Sequence, residues 1–150
     1  MKLKIPPVII FFLSLGIMFG VYYLTAEVVY SFQYQTMLSR IFLGIGVLCA
    51  FSGIISFRMK GTTVDPLRPE KASSLVTRGI YQYTRNPMYL GMGLVLIGGW
   101  IRIGSPIAVI GILFFFWYMT IFQIKPEEAS LTKIFGKDYE DYCTKVRRWF

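Results

Sequence analysis

The sequence predicts an all-α protein that is embedded in a membrane through about four transmembrane helices. Hydrophobic residues make up 55% of the 150-residue chain and charged residues only 16%, which is unusual for a soluble domain. The apolar residues are concentrated in four segments, at residues 8–26, 41–57, 87–101 and 107–124. Basic residues border these segments, so the net charge of +8 indicates contact with anionic membrane lipids and not with nucleic acid.

The length of each segment predicts whether it can cross the hydrocarbon core of the bilayer. The first and last are long enough to cross the hydrocarbon core, which needs about 20 residues with a lower limit of about 17. The first, 8–26, follows Lys2 and Lys4 as a signal peptide would, but no small-residue cleavage pattern comes after it. The second, 41–57, lies near the lower limit. The third, 87–101, is short, so we expect it to be buried or to extend with its polar start into the headgroups.

The distribution of Lys and Arg predicts the orientation of these segments. Fourteen of the 16 basic residues lie at the N-terminus, in the loop that spans residues 58–85 or in the tail after residue 124. Arg40 and Arg102 alone border the other two connections. Because basic residues accumulate on the cytoplasmic side of membrane proteins, we expect both termini and the long loop in the cytoplasm.

Turn and glycine patterns predict how the segments pack. The Gly-Ser-Pro turn at residues 104–106 favours an antiparallel hairpin of the third and fourth segments. Glycine recurs in the second and third segments, which predicts close helix packing through small residues. The alternative function for these glycines is to leave room for a ligand against the backbone at Gly91 and Gly93.

The residues that are absent limit the chemistry. The chain has no histidine, which is the commonest general base and a common metal ligand. Its two cysteines, Cys49 and Cys143, are far apart and indicate neither a disulfide framework nor a zinc site. We therefore expect no metal centre, and the length of the chain predicts a single domain over residues 1–150.

Polar residues concentrate at the start of the third segment and after the fourth. Asn86 suits the N-cap of a helix and Pro87 its first position, where free N–H groups can bind a carboxylate or phosphate. Glu127 and Glu128 follow Pro126 and would face the same cytoplasmic surface, although acids in a first helical turn also complement the helix dipole. The tail is typical of two short amphipathic helices that are broken at Gly136.

Two motifs flank the predicted hairpin. Residues 85–91 read Arg-Asn-Pro-Met-Tyr-Leu-Gly, and residues 127–131 read Glu-Glu-Ala-Ser-Leu, followed by Phe-Gly at 135–136 and then Tyr139 and Tyr142. Together with Leu-Val-Thr-Arg-Gly-Ile-Tyr upstream, they resemble the isoprenylcysteine carboxyl methyltransferase and phospholipid methyltransferase family of integral membrane enzymes. The resemblance extends over roughly half of the chain.

The resemblance implies S-adenosylmethionine as methyl donor, bound between the long loop, the start of the third segment and the tail. In that pocket Tyr81 and the step from Asn86 to Tyr89 would hold the nucleoside and methionine parts, and Glu127 would accept hydrogen bonds from the ammonium or ribose. Arg85 is expected to have a positioning or electrostatic role in catalysis and Glu128 a supporting one. The implied cofactor-binding residues are Ser73, Ser74, Leu75, Val76, Tyr81, Asn86, Pro87, Met88, Tyr89 and Glu127.

Two positions depart from the family pattern. Asn86 stands where the family usually has histidine, and because asparagine cannot titrate, proton transfer at this position is excluded. Gln123 stands where members that act on prenylated cysteine carry an arginine that meets the substrate carboxylate. This second departure argues against a prenylcysteine carboxylate unless Lys125 or Arg85 takes over that contact.

The expected function is therefore methyl transfer to a lipidic or membrane-delivered acceptor. A prenylcysteine carboxylate, a phospholipid amine, a small thiol and an isoprenoid all remain open, as does the oligomeric state. A carboxylate needs no general base, whereas an amine must lose a proton, for which Glu128 is the nearby candidate. The alternatives are a nicotinamide-dependent sterol-reductase-like membrane enzyme and a non-catalytic four-span scaffold or transporter half. Charges that cluster at one membrane surface argue against a transporter.

Overall fold

A computed structural model describes residues 5–59 and 74–150 of the chain. Within these two ranges the backbone forms helices and no strands, which confirms the predicted all-α class. Short 3-10 helices lie at Gly79–Gln82 and Pro106–Ala108, and a π-helical turn at Met119–Ile124 joins the fourth α-helix to the fifth. The α-helices of the two ranges are α1 (Pro7–Leu24), α2 (Gln35–Met59), α3 (Pro87–Ile103), α4 (Val109–Tyr118), α5 (Lys125–Phe135) and α6 (Lys137–Lys145).

Three helical stretches are long and apolar enough to cross a membrane, judged by length and composition: α1, α2 and the continuous stretch Pro106–Phe135. α3 is a shorter apolar helix of 17 residues. Large apolar side chains are exposed on the outer faces, among them Leu48 (68%), Phe12 (63%) and Leu113 (61%). A surface of this kind suits lipid tails and not water, so the structure agrees with the predicted membrane protein.

The prediction that the second segment lies near the lower length limit is wrong. α2 has 25 residues, because the helix also includes the polar positions before residue 41. Gln35 Nε2 donates a hydrogen bond to the carbonyl oxygen of Ile101 at 2.7 Å, and Ser39 Oγ donates one to the carbonyl oxygen of Gly98 at 2.8 Å. Both side chains are thereby satisfied inside the contact with α3, so the helix extends further than hydropathy indicates.

Glycines let α2 and α3 approach each other closely. A Cβ on Gly91 would lie 2.5 Å from the carbonyl oxygen of Gly46 and 2.7 Å from the backbone nitrogen of Ala50. Gly93 points in another direction, and a Cβ there would meet the ring of Phe116 in α4. These glycines therefore serve helix packing, and the alternative of a ligand against the backbone at Gly91 and Gly93 is wrong.

α3 and the following helix run antiparallel, as the turn sequence predicts. Tyr89 at the start of α3 bonds to Glu127 beyond the end of α4, whereas Trp100 near the end of α3 donates its Nε1 to the carbonyl oxygen of Ser105 at 2.8 Å. Gly104 between them has a φ of 73°, a left-handed conformation that glycine adopts at little cost. The turn thus brings the two sequence motifs to the same end of the helix pair.

The structure changes the interpretation of the acids after the fourth segment. We expected a new helix to begin at Pro126 and the helix dipole to favour the acids there, but the helix is continuous from Pro106 to Phe135. Proline lacks an N–H group and crowds the carbonyl four residues before it, which a regular α-helix does not accommodate. Here the π-helical turn precedes Pro126, and Lys125 donates its backbone N–H to Thr120, five residues earlier. Glu127 and Glu128 thus lie in the first turn of α5 as expected, but this turn continues the π-helical turn before it and is not a free helix start. The predicted break between α5 and α6 at Gly136 is confirmed.

We predict that Gly91→Ala destabilises the protein by about 1–3 kcal/mol, because the new methyl group overpacks the contact between α2 and α3. Gly20→Ala is the matched control, since a Cβ at Gly20 meets nothing within 4 Å. Thermal unfolding in detergent micelles, followed by circular dichroism, measures the difference. Equal midpoints for the two variants would contradict the close packing.

Candidate active site

The segment before α3 is held by aromatic contacts. Gly79 has a φ of 64° and begins the 3-10 helix that contains Tyr81. The ring of Tyr81 is buried and packs edge-to-face on Phe57 of α2, with ring centroids 5.3 Å apart. Its carbonyl oxygen accepts a hydrogen bond of 2.6 Å from the Tyr142 hydroxyl. Burial raises the pKa of Tyr142, so this hydroxyl stays protonated and fixes α6 against the segment.

The start of α3 is joined to the C-terminal segment, residues 146–150. Asn86 and Pro87 occupy the N-cap and first position as predicted, but the Asn86 side chain makes no capping hydrogen bond. Its Nδ2 donates instead to the carbonyl oxygen of Arg148 at 2.9 Å, while the Thr84 hydroxyl accepts from the Asn86 backbone N–H at 3.2 Å. The C-terminal segment thus lies against the start of α3, which the sequence predicted to have free N–H groups.

Glu127 has a half-buried carboxylate that belongs to a three-residue cluster. The Tyr89 hydroxyl donates to Glu127 Oε1 at 2.6 Å, and Gln123 Nε2 donates to the same oxygen at 2.5 Å. Gln123 Nε2 also lies 3.3 Å from the Tyr89 hydroxyl oxygen. These bonds stabilise a carboxylate that would otherwise be costly to bury, and both use Oε1, which leaves Oε2 for another donor.

Glu128 lies between two arginines. Arg148 makes a bidentate contact, with Nε 3.0 Å from Oε1 and Nη2 2.7 Å from Oε2, and Arg85 Nη2 lies 3.2 Å from Oε1. The hydrogen bond to Glu128 raises the pKa of Arg148 and keeps it charged. Arg85 also donates its Nη1 to the sulfur of Cys143. The guanidinium of Arg85 is therefore fixed on two sides.

A cavity of about 90 Å³ lies between the 74–76 segment, the start of α3 and helices α5 and α6. Most of the residues that the sequence predicted for the site line this cavity: Ser74, Leu75, Val76, Tyr81, Arg85, Asn86, Met88, Tyr89, Glu127 and Glu128. Pro87 is buried beside it without lining it, and its carbonyl oxygen accepts from the Cys49 thiol at 3.3 Å. Ser73 lies outside the described residues.

Several lining residues were not predicted for the site. Phe57 and Ile124 belong to apolar helices, where nothing in the sequence separates them from their neighbours. Leu131, Tyr139 and Tyr142 also line the cavity, and their common face on the amphipathic tail was the signal that could have revealed them. The contact of Arg148 with Glu128, beside the cavity, was not predicted either. Nothing in the sequence indicates it, because it depends on how the chain turns after α6.

Two buried polar atoms at this cavity have no hydrogen-bond partner among the described residues. They are Ser74 Oγ and Arg85 Nε. A buried polar group without a partner costs about 1–3 kcal/mol, so native proteins retain few of them. Their position in the lining, together with the inward carboxylate of Glu127, fits a polar ligand that carries both donors and acceptors.

The described residues form an all-helical membrane protein with a largely apolar cavity, into which a few polar side chains are set, at one end of its apolar helices. Residues 34–138 match the sequence profile of the phospholipid methyltransferase family, and the chain belongs to this family. The identification agrees with the resemblance carried by the two motifs, which lie within or beside the matched range.

Curated relatives are similar to this chain over part of their length. The chain is 40% identical over 72 residues to the protein-S-isoprenylcysteine O-methyltransferase of Dictyostelium discoideum, a match that covers 48% of this chain and 30% of the relative. It is 30% identical over 105 residues to the enzyme of that name from Schizosaccharomyces pombe, covering 70% and 44%. Protein-S-isoprenylcysteine O-methyltransferase B of Arabidopsis thaliana is 29% identical over 102 residues, covering 68% and 52%.

The chain thus spans about half, or less, of the length of these relatives. No solved structure gives a significant match.

We predict that Arg148→Gln destabilises the protein by about 1 kcal/mol, because it removes a bidentate partner of Glu128 from a pair that is only partly screened by solvent. The neighbouring Arg147 is exposed, so Arg147→Gln removes the same charge without that contact. Thermal unfolding in micelles and the rate of digestion by carboxypeptidase measure the effect. If both variants behaved alike, the attachment of the C-terminal segment through Arg148 would be disproved.

Proposed function

We propose that this protein transfers a methyl group from S-adenosylmethionine to a lipid-attached acceptor that reaches the cavity from the bilayer. The observation that carries the proposal is the meeting of the two motifs. The two motifs are far apart in sequence, yet residues of both line one cavity where lipid-facing helices end: Arg85, Asn86, Met88 and Tyr89 from the first, and Glu127 and Glu128 from the second. The family name and the names of the relatives, all of them methyltransferases, support the reaction class.

The donor set of the cavity suits S-adenosylmethionine. Glu127 would accept hydrogen bonds from its ammonium or ribose hydroxyls through Oε2, and Ser74 Oγ would pair with a further polar group. The apolar and aromatic lining would contact the adenine ring. The bound cofactor would supply an electrophilic methyl group on a positively charged sulfur. In this proposal the cavity and both termini face the cytoplasm, from which the cofactor enters.

The volume of the cavity sets a condition on binding. Ligand pockets usually measure about 300–1,000 Å³, whereas this cavity holds about 90 Å³. A complete cofactor therefore requires that the walls separate. Leu75 and Leu131 pack against the apolar cluster around Tyr139 and Tyr142, and this contact would loosen during binding.

The paired charges of the site favour an acceptor that needs no base. Glu128 accepts bonds from Arg85 and Arg148, and a proton on its carboxylate would disrupt them. It is therefore poorly suited to take a proton from an amine. Arg85 retains an unpaired Nε–H that would bind a carboxylate of the acceptor and align it with the methyl group. A prenylcysteine-type carboxylate satisfies both conditions.

The role of Gln123 bears on this choice of acceptor. The sequence argued against a prenylcysteine carboxylate because Gln123 replaces the arginine that would meet it. In the structure Gln123 is 2% exposed and donates to Glu127 Oε1, so this position supports the cluster around Glu127. Arg85 would then bind the carboxylate of the acceptor. It is one of the two residues, with Lys125, that the sequence suggested for this contact.

We predict that Glu127→Ala weakens binding of S-adenosylhomocysteine by about tenfold or more, because it removes the charged acceptor of the cavity. Glu140→Ala is the control, since Glu140 is an exposed acid on α6. Isothermal calorimetry measures both affinities, with circular dichroism to verify the helices. An unchanged affinity in the Glu127 variant would refute the site, and binding of NADPH in place of S-adenosylhomocysteine would favour the reductase alternative.

We predict that radiolabelled methyl groups pass from S-adenosylmethionine to a farnesylated cysteine with a free carboxylate, and not to its methyl ester or to phosphatidylethanolamine. Arg85→Gln should lower this rate by about tenfold or more, because the carboxylate loses its charged partner. Arg78→Gln, at an exposed position nearby, should leave the rate unchanged. Labelling of phosphatidylethanolamine alone would identify an amine acceptor and overturn the carboxylate assignment.

A further inference from the structure

A second cavity of about 580 Å³ lies at the opposite end of α3 from the candidate active site. It is a lateral groove between α1 and α2, with the C-terminal part of α3 as its floor. α3 has 17 residues and is therefore about 25 Å long, which separates this groove from Asn86 and Tyr89 by most of that length. The groove is thus distinct from the site in which the reaction is proposed.

The walls and floor of the groove suit an alkyl chain. Leu15 and Phe19 of α1 form one wall and Leu43 of α2 forms the other. At the floor, a Cβ on Gly99 would meet only the Cε of Met18, at 3.9 Å, so the α3 backbone is open to a ligand. The volume falls within the range of about 300–1,000 Å³ that ligand pockets occupy.

Two arginines line the same groove. Arg40 of α2 and Arg102 of α3 are both exposed, and within the described residues neither guanidinium takes part in a hydrogen bond or an ion pair. They are also the two basic residues that the charge distribution separates from all the others. Because basic residues accumulate on the other side, the charge rule does not account for two arginines at one groove.

We propose that this groove binds an anionic phospholipid. The guanidinium groups of Arg40 and Arg102 contact the phosphate, for which the planar arginine fork is well suited, and one acyl chain lies over Gly99 between Phe19 and Leu43. The distance from the candidate active site means that this lipid is held as a bound component and is not the methyl acceptor. The proposal stands independently of the reaction.

Native mass spectrometry of the full chain, released from detergent micelles, tests the proposal. Phosphatidylglycerol and phosphatidylethanolamine with identical acyl chains are added in equal amounts, and the lipid-bound fractions are compared. We expect the wild-type chain to retain phosphatidylglycerol in preference. Replacing both Arg40 and Arg102 with glutamine should lower that retention by about tenfold or more. Arg58→Gln, at the other end of α2, is the control and should retain the preference.

A variant with both arginines intact tests the acyl-chain part of the groove. Gly99→Leu fills the floor and should also reduce retention of phosphatidylglycerol, whereas Gly20→Leu, at another open position, should not. Circular dichroism verifies the fold of each variant. If the double arginine variant does not fold, the retention of phosphatidylglycerol by Gly99→Leu tests the proposal in its place. Equal retention of the two lipids by the wild-type chain overturns the proposal. So does unchanged retention in the Gly99 or double arginine variant, or an equal loss in Arg58→Gln.

Discussion

The partial burial of two neighbouring carboxylates shapes the polar end of this protein. Glu127 and Glu128 follow the last apolar stretch directly, where unpaired charges are costly. Each is satisfied by partners from elsewhere in the chain: Glu127 by Tyr89 of α3 and Gln123 of the π-helical turn, Glu128 by Arg85 before α3 and Arg148 after α6. These bonds connect α3, α5 and the C-terminal segment, and the cavity lies among them. The structure at this end thus follows largely from the need to pair two acids.

The other constraint comes from the membrane. Lipid tails are as apolar as leucine side chains, so helices in a bilayer associate through close packing and not through exclusion of water. The contact of Gly46 with Gly91 brings α2 against α3, and Phe116 fills the space over Gly93. At the polar end, Trp149 packs on Phe116 with ring centroids 4.8 Å apart, which joins the C-terminal segment to the same core. The helix packing and the cavity are therefore coupled through α3.

The sequence predicts the helices because they depend on local patterns, whereas most of the cavity residues were implied by the resemblance to the methyltransferase family. Apolar segments, the Gly-Ser-Pro turn and the Asn-Pro helix start are short-range signals, and the two motifs indicate which polar residues lie together. Hydropathy alone starts α2 too late in the chain to include Gln35 and Ser39, since it cannot detect that these side chains bond to α3. The π-helical turn and the Arg148 contact were likewise missed, because both depend on tertiary geometry around Pro126 and after α6.

The absence of histidine from the chain fits the way in which charges are used in the candidate site. Every acidic group there is engaged: Glu127 accepts bonds from neutral donors, and Glu128 accepts them from two arginines. A site arranged like this holds side chains in fixed positions, and positioning is what an in-line methyl transfer requires. The unpaired Ser74 Oγ and Arg85 Nε would then be satisfied only when ligands are present. For the proposed reaction, alignment and exclusion of water are therefore the contributions expected of these residues.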